Sequence, residues 1–263
     1  LFVILILLSI SYLLKLDFLY LSNQQKLQDM NIQGVECIND SIHLISHNGD
    51  IHKYDNDKLE YVTSLVRKDA NSIKKKNSLV HSNSIVFINE TQAIISNAIK
   101  RLPAKIIFLN FDKLIKDGYL NEKNIEKIIS NDDIRAFFLE MIDYDNYDFL
   151  LKISRDINDN YNYFLYDKYL NEQICSFNLK EKNIQSTYWS SKDKTLSLVK
   201  NPIKNRLGQI NSYQASKSSN CLSYELIERK IILNFMELQG FERCNNTDYY
   251  IYTKNKDSYI FQN

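Results

Sequence analysis

Ser41-Ile-His-Leu-Ile-Ser-His-Asn-Gly-Asp-Ile-His-Lys-Tyr54 is the stretch on which the reading of the fold turns. Apolar and polar residues alternate on both sides of Asn48-Gly49, and an Asn-Gly pair supplies the two positive-φ positions of a type I′ turn. The segment therefore predicts a β-hairpin. Five similar paired runs follow it. Residues 84–87 and 93–96 flank Asn89-Glu90, residues 148–154 and 161–166 flank the cluster 156–160, and residues 185–189 and 195–199 flank Lys192-Asp193. Near the C-terminus, 222–226 and 231–235 flank Glu228-Arg229, and 249–253 and 258–261 flank Asn255-Lys256. With Gly 5 and Pro 2 in 263 residues, the turns must be built from Asn and Asp, whose short side chains tolerate the left-handed conformation.

The turn centres, near 48, 90, 158, 192, 228 and 255, fall about 42, 68, 34, 36 and 27 residues apart, and 68 is nearly twice 34, as expected of a radial β-array. The sequence thus predicts a mainly β fold of repeated antiparallel hairpins in a β-propeller-like arrangement. An irregular α+β two-sheet domain is the alternative. The long interval holds a helix-like pattern: Ile134, Phe137, Phe138, Met141 and Ile142 fall at helical spacing behind Asn131-Asp-Asp, which predicts a helical insertion over about 121–142. The domain so read covers 37–263, preceded by a polar, amide-rich stalk at 23–36.

The N-terminal run from Leu1 to Leu14 carries no charge and no helix breaker. After Lys15 and Asp17 the apolar character resumes as Phe18-Leu-Tyr-Leu21, giving a stretch that at 1.5 Å per residue covers roughly a 30 Å hydrocarbon core. Residues 1–22 are therefore expected to form a transmembrane signal anchor, with Lys15 and Asp17 reaching for the interface. A cleaved signal peptide lacks its small-x-small site here, and a core helix would show a polar face. The expectation is a single-pass membrane protein whose main domain is extracytoplasmic, periplasmic or at the cell surface.

Lys and Arg number 33 against 32 for Asp and Glu, which removes the basic footprint of a nucleic-acid binder. Cys37, Cys175, Cys221 and Cys244 form no C-x-x-C pair, so zinc ribbons and thioredoxin-like motifs are excluded. Four cysteines allow three pairings; Cys221 with Cys244 is favoured, and four buried thiols are the alternative.

Three of the four histidines lie on the first hairpin. With Asn48-Gly49 as a two-residue turn, His47 opposes Asp50, Ile45 opposes His52 and His43 opposes Tyr54, which puts His43, His47, Asp50 and His52 on one face as a candidate metal site for zinc. The loop at 156–160 has Asp156, Asn158 and Asn160 at the spacing of a calcium loop, but Tyr161 stands where Gly is required. No P-loop, G-x-S-x-G, GxGxxG or H-E-x-x-H sequence occurs, so no catalytic or cofactor-binding residue can be named. The expectation is a membrane-tethered, non-catalytic binding or assembly module for a protein or glycan, held to the membrane by its N-terminal helix and taking no nucleic acid. The alternatives are an exported hydrolase, acting on carbohydrate, and a metal-binding protein.

Overall fold

A computed structural model describes residues 16–19, 24–27, 30–66, 82–97, 103–203, 207–219, 221–233, 236–254 and 257–263. Two short strands, β1 (Leu16–Leu19) and β2 (Gln24–Leu27), precede the ring. The first blade is β3 (Ile32–Ile38), β4 (Ser41–Ser46), β5 (Asp50–Asp55) and β6 (Lys58–Ser64). The second is β7 (Ser82–Phe87), β8 (Gln92–Asn97), β9 (Ala104–Asn110) and β10 (Ile125–Asn131), with helix α1 (Phe111–Asp117) between the last two. The third is β11 (Ile134–Tyr144), β12 (Tyr147–Asp156), β13 (Tyr161–Asp167) and β14 (Gln173–Phe177). The fourth is β15 (Ile184–Ser190), β16 (Thr195–Ile203), β17 (Leu207–Ser218) and β18 (Cys221–Leu233). The fifth has β19 (Glu237–Cys244), β20 (Thr247–Lys254) and β21 (Asp257–Gln262) from the C-terminus and takes β2 as its outer strand.

The innermost strands β3, β7, β11, β15 and β19 are neighbours in that order, and β19 returns to β3. The sheets therefore close as a five-bladed β-propeller. Each interface between blades has its own apolar core, for example Ile45, Ile51, Ile85 and Ile107 between the first and second, and Leu44, Tyr54, Ile251 and Ile260 between the fifth and first. A strand sandwiched between two neighbouring blades is buried on both faces.

Local chemistry explains the hairpins. Asn39-Asp40, Asn56-Asp57, Asp145-Asn146 and Asn245-Asn246 all have both residues at positive φ, between 47° and 66°, and each closes a two-residue turn. The glycine-poor turn chemistry read from composition is what the chain uses. Each innermost strand also slips register by one residue near its start, at Gln33, Asn83, Arg135, Gln185 and Gln239. The residue after each slip is small: Gly34, Ser84, Ala136, Ser186 and Gly240. A bulge raises local twist, and a small residue lets the inner strands approach one another around the axis.

Several expectations are corrected. Residues 121–142 are not a helical insertion; after a turn before Ile125 they form β10 and most of β11, joined through Asp132-Asp133. Phe137 and Leu139 pack toward the second blade and Phe138 and Ile142 toward the fourth, so burial on both faces erased the alternation of a strand and left a pattern that mimics a helix. The helix that does form, α1, has Asn110 as N-cap, its side chain accepting from the Lys113 N–H, and Gly118 as a left-handed C-cap. Glu228-Arg229 is no turn: β18 runs through it, with a bulge at Ile227. The disulfides join Cys37 to Cys244 and Cys175 to Cys221, not Cys221 to Cys244. Both link adjacent blades, which sequence proximity could not indicate. The expected stalk holds β2 and the beginning of β3.

Most of the expected anchor, residues 1–15 and 20–22, lies outside the described residues. Leu16–Leu19, which the anchor reading includes, form β1 and pair in parallel with β18 along the outer edge of the fourth blade. Among the described residues no helix is long and apolar enough to cross a membrane.

Candidate functional site

The first hairpin forms, but its turn is longer than two residues. Gly49, at φ 88°, donates its N–H to Ser46 O, and the ladder pairs Ile45 with Ile51, Leu44 with His52 and His43 with Lys53. One residue of slip exchanges the faces. His43 now shares a face with Ile45 and Ile51, is buried, and turns Nδ1 to Ser41 O at 3.2 Å. His52 lies on the opposite face, edge-on to Tyr61 at 5.6 Å between ring centroids. His47 sits in the turn, and Asp50 is held by Ser46 Oγ accepting from its N–H. Burial lowers the basicity of all three imidazoles. The structure does not bring His43, His47, Asp50 and His52 to one point, and among the described residues no group of three or more His, Cys, Asp or Glu is placed to hold a metal ion. In the calcium-like loop, the Asp156 carboxylate accepts from the backbone N–H groups of Asn158 and Asn160 and from the Asn160 side chain. Its oxygens are engaged in shaping the turn.

Two hollows flank the fourth blade. Between the fourth and fifth blades, a polar cavity of about 200 Å³ is lined by Tyr188, Asp193, Glu228, Lys230, Phe241 and Arg243. Arg243 is already clamped by both oxygens of Asp248, at 2.5 and 3.1 Å. Between the third and fourth blades lies a larger groove of about 340 Å³, lined by Tyr144, Tyr147, Phe149, Leu165, Ile174 and Leu222 with Asp145, Lys217 and Ser219 at its edge. Tyr147 is 64% exposed and stacks on Phe149 at 6.1 Å. Cys221 lines this groove, and its disulfide to Cys175 ties the outer strands of the two walls, with Cα atoms 5.8 Å apart. An aromatic groove whose walls are covalently joined is preorganised, which lowers the ordering cost of binding.

The third feature is the centre of the ring. Glu36 on β3, Glu140 on β11 and Glu242 on β19 approach one another closely enough for their charges to interact. Glu140 and Glu242 are 9% and 6% exposed. Glu36 keeps some accessible surface although protein surrounds it. Burial, joined by repulsion from Glu242 and Glu140, raises the Glu36 carboxyl well above the carboxylate range; burial and Glu140 do the same to Glu242. Burial pushes Glu140 up to about 8, opposed by hydrogen bonds from Thr187 and the Trp189 backbone. None of the three lines either hollow.

Sequence reasoning named neither the groove nor the carboxylates. A signal for two of the latter was present: Ile32-Gln-Gly-Val-Glu36 recurs as Leu238-Gln-Gly-Phe-Glu242 on the inner strands of the first and last blades. The groove left no such trace, because its residues come from separate strands of two blades. No family model matches the chain, and no curated protein matches it.

Proposed function

We propose that this chain is a membrane-tethered, extracytoplasmic, non-catalytic binding module that receives an apolar segment of a protein partner in the groove between its third and fourth blades. The observation that carries the reading is the exposed aromatic groove of Tyr144, Tyr147 and Phe149 fixed by Cys175–Cys221. Exposed aromatic residues around an apolar hollow with a charged edge are the composition of a protein interface. Two disulfides between blades support an oxidising compartment, and the uncharged run at residues 1–14 supports a tether. The hydrolase alternative needs two carboxylates in an open cleft. The ring-centre carboxylates line neither hollow, and in the polar cavity, which Asp193 and Glu228 both line, Asp193 accepts from Ser190 Oγ at 2.9 Å and is ion-paired with Arg243 at 3.9 Å, which favours binding over catalysis.

The test is site-specific crosslinking of the full chain in its native membrane. A photoreactive residue at position 147 should give a discrete protein adduct that is lost with Phe149→Ala. The same probe at Ile157, which is 47% exposed and sits in the β12–β13 connection away from the groove, should give none. Equal labelling at both positions would remove the groove as the interface. Binding to purified glycans with no protein adduct would replace the partner class.

A further inference from the structure

The strands of the fourth blade sort their residues by face. Trp189, Leu196, Leu198 and Tyr213 join the apolar core against the third blade, while their chain neighbours Ser190, Thr195, Ser197 and Ser212 line the polar cavity toward the fifth. Cross-strand pairing arranges this second group in rows. Tyr188, Ser197, Ser212 and Glu228 oppose one another across all four strands; Val199, Ile210 and Lys230 form the row on one side, and Ser190 and Thr195 the row on the other. Val199 and Ile210 belong to the apolar core of this seam. The core therefore stops where the hydroxyl rows begin, and the cavity of about 200 Å³ is space that larger apolar side chains at those positions would fill. We propose that this cavity is a second binding site, which takes one ring of a neutral sugar.

The lining selects the class of ligand. Asp193 and Glu228 face Lys230 and Arg243 around the cavity, two charges of each sign. A phosphate or carboxylate would meet the two acids, and an ammonium would meet the two bases, so an ion of either sign is disfavoured. Both pairs still offer hydrogen bonds to a neutral partner, the acids as acceptors and the bases as donors. Arg243 commits Nε and Nη2 to Asp248, and its Nη1 lies 3.9 Å from Asp193. Ser197 and Ser212 are bonded to each other at 3.0 Å, and that bond uses only one of their two hydrogens.

A sugar ring matches this arrangement, because each of its hydroxyls both donates and accepts and none is charged. Its C–H groups need an apolar surface, which Ile210 and Phe241 supply; Phe241 is held edge-on to Tyr188 at 5.3 Å between ring centroids. Sites for drug-sized ligands occupy roughly 300 to 1,000 Å³, so a space smaller than these limits the occupant to a single ring. Ile227, which also lines the cavity and is 40% exposed, marks the open side through which the rest of a glycan chain would leave.

The test is saturation-transfer NMR on the full, disulfide-intact chain in a sugar-free detergent, irradiating protein methyl groups. Glucose, galactose, mannose and N-acetylglucosamine are the probes, with inorganic phosphate and glycine as charged competitors. At least one of the four sugars should bind with a millimolar dissociation constant, and neither competitor should displace it. Ser212→Leu, which fills the middle of the hydroxyl row, should weaken that binding by about tenfold or more. Should this variant fail to fold, Glu228→Gln is read in its place; it keeps the shape, replaces a charged acceptor by a neutral one and should weaken binding about fivefold. Absence of binding by all four sugars, displacement by phosphate or glycine, or binding that survives the substitution overturns the proposal.

Discussion

A Cβ built on Gly240 would fall 2.6 Å from Cγ1 of Val35, so the innermost strands of the fifth and first blades meet closer than any side chain at 240 allows. Val35 is β-branched and stiff about χ1, so it has no free end to swing aside. A Cβ on Gly34, at the equivalent place in the first blade, would meet the carbonyl oxygen of Asn83 at 3.4 Å and Cδ1 of Ile45 at 3.5 Å, both ordinary contacts. Gly240→Ala should therefore destabilise the protein by about 2 kcal/mol through overpacking. Gly34→Ala should be neutral or slightly stabilising, because it only narrows the unfolded ensemble. Urea unfolding of the two variants decides this; equal losses would mean that the seam can relax around a methyl group.

Glu140 makes stability fall with rising pH. Its carboxyl is raised by burial to about 8 in the folded ring, against an ordinary value near 4.5 when unfolded. Between those values the folded state holds a proton that the unfolded state has lost, so stability declines as pH rises through that window. Glu140→Gln keeps the shape and removes the titration. The variant should show a flatter Tm profile from about pH 5 to about pH 9 and exceed wild type at the alkaline end. A wild-type profile that rises over this window would contradict the protonated state assigned to Glu140.

Much of this architecture was legible from local chemistry. The hairpins around Asn89-Glu90 and Lys192-Asp193 join the strand pairs β7–β8 and β15–β16, because turn residues and strand-forming runs act over a few positions; β20 and β21 also pair, with Asn255-Lys256 between them outside the described residues. What failed depends on tertiary surroundings. Asn48-Gly49 marks a turn correctly, yet Gly49 N–H reaching back to Ser46 lengthens the loop, and the shift carries His43 and His52 to opposite faces. Phe137 and Phe138 both face apolar neighbours, which no period in the sequence can express. The pairing of Cys37 with Cys244, at a sequence separation of 207, follows from ring closure alone. The matching Gln-Gly-x-Glu of β3 and β19 was the one visible sign that the two ends of the domain are equivalent.

Glu181 fastens the connection between the third and fourth blades. Its carboxylate accepts hydrogen bonds from Lys200 on β16 and from Asn211 and Tyr213 on β17, while its backbone oxygen accepts from the Tyr163 hydroxyl at 3.2 Å. Burial alone would raise the carboxyl, but the bonds from Lys200 and Tyr213 prevail and hold it below the ordinary value. The side chains of Lys200 and Glu181 are only 13% and 10% exposed, so removing one partner strands the other in a poorly solvated site. Glu181→Gln and Lys200→Met should each cost about 3 kcal/mol, whereas the double variant should cost well under the sum, since no unpaired charge is left behind. Because the carboxyl is held low, its contribution is complete at neutral pH and fades as pH falls through its folded value; the gap between wild type and Glu181→Gln should close on acidification. Strictly additive losses in the double-mutant cycle would show that Glu181 is anchored by Tyr213 and Asn211 instead, and that Lys200 is a bystander.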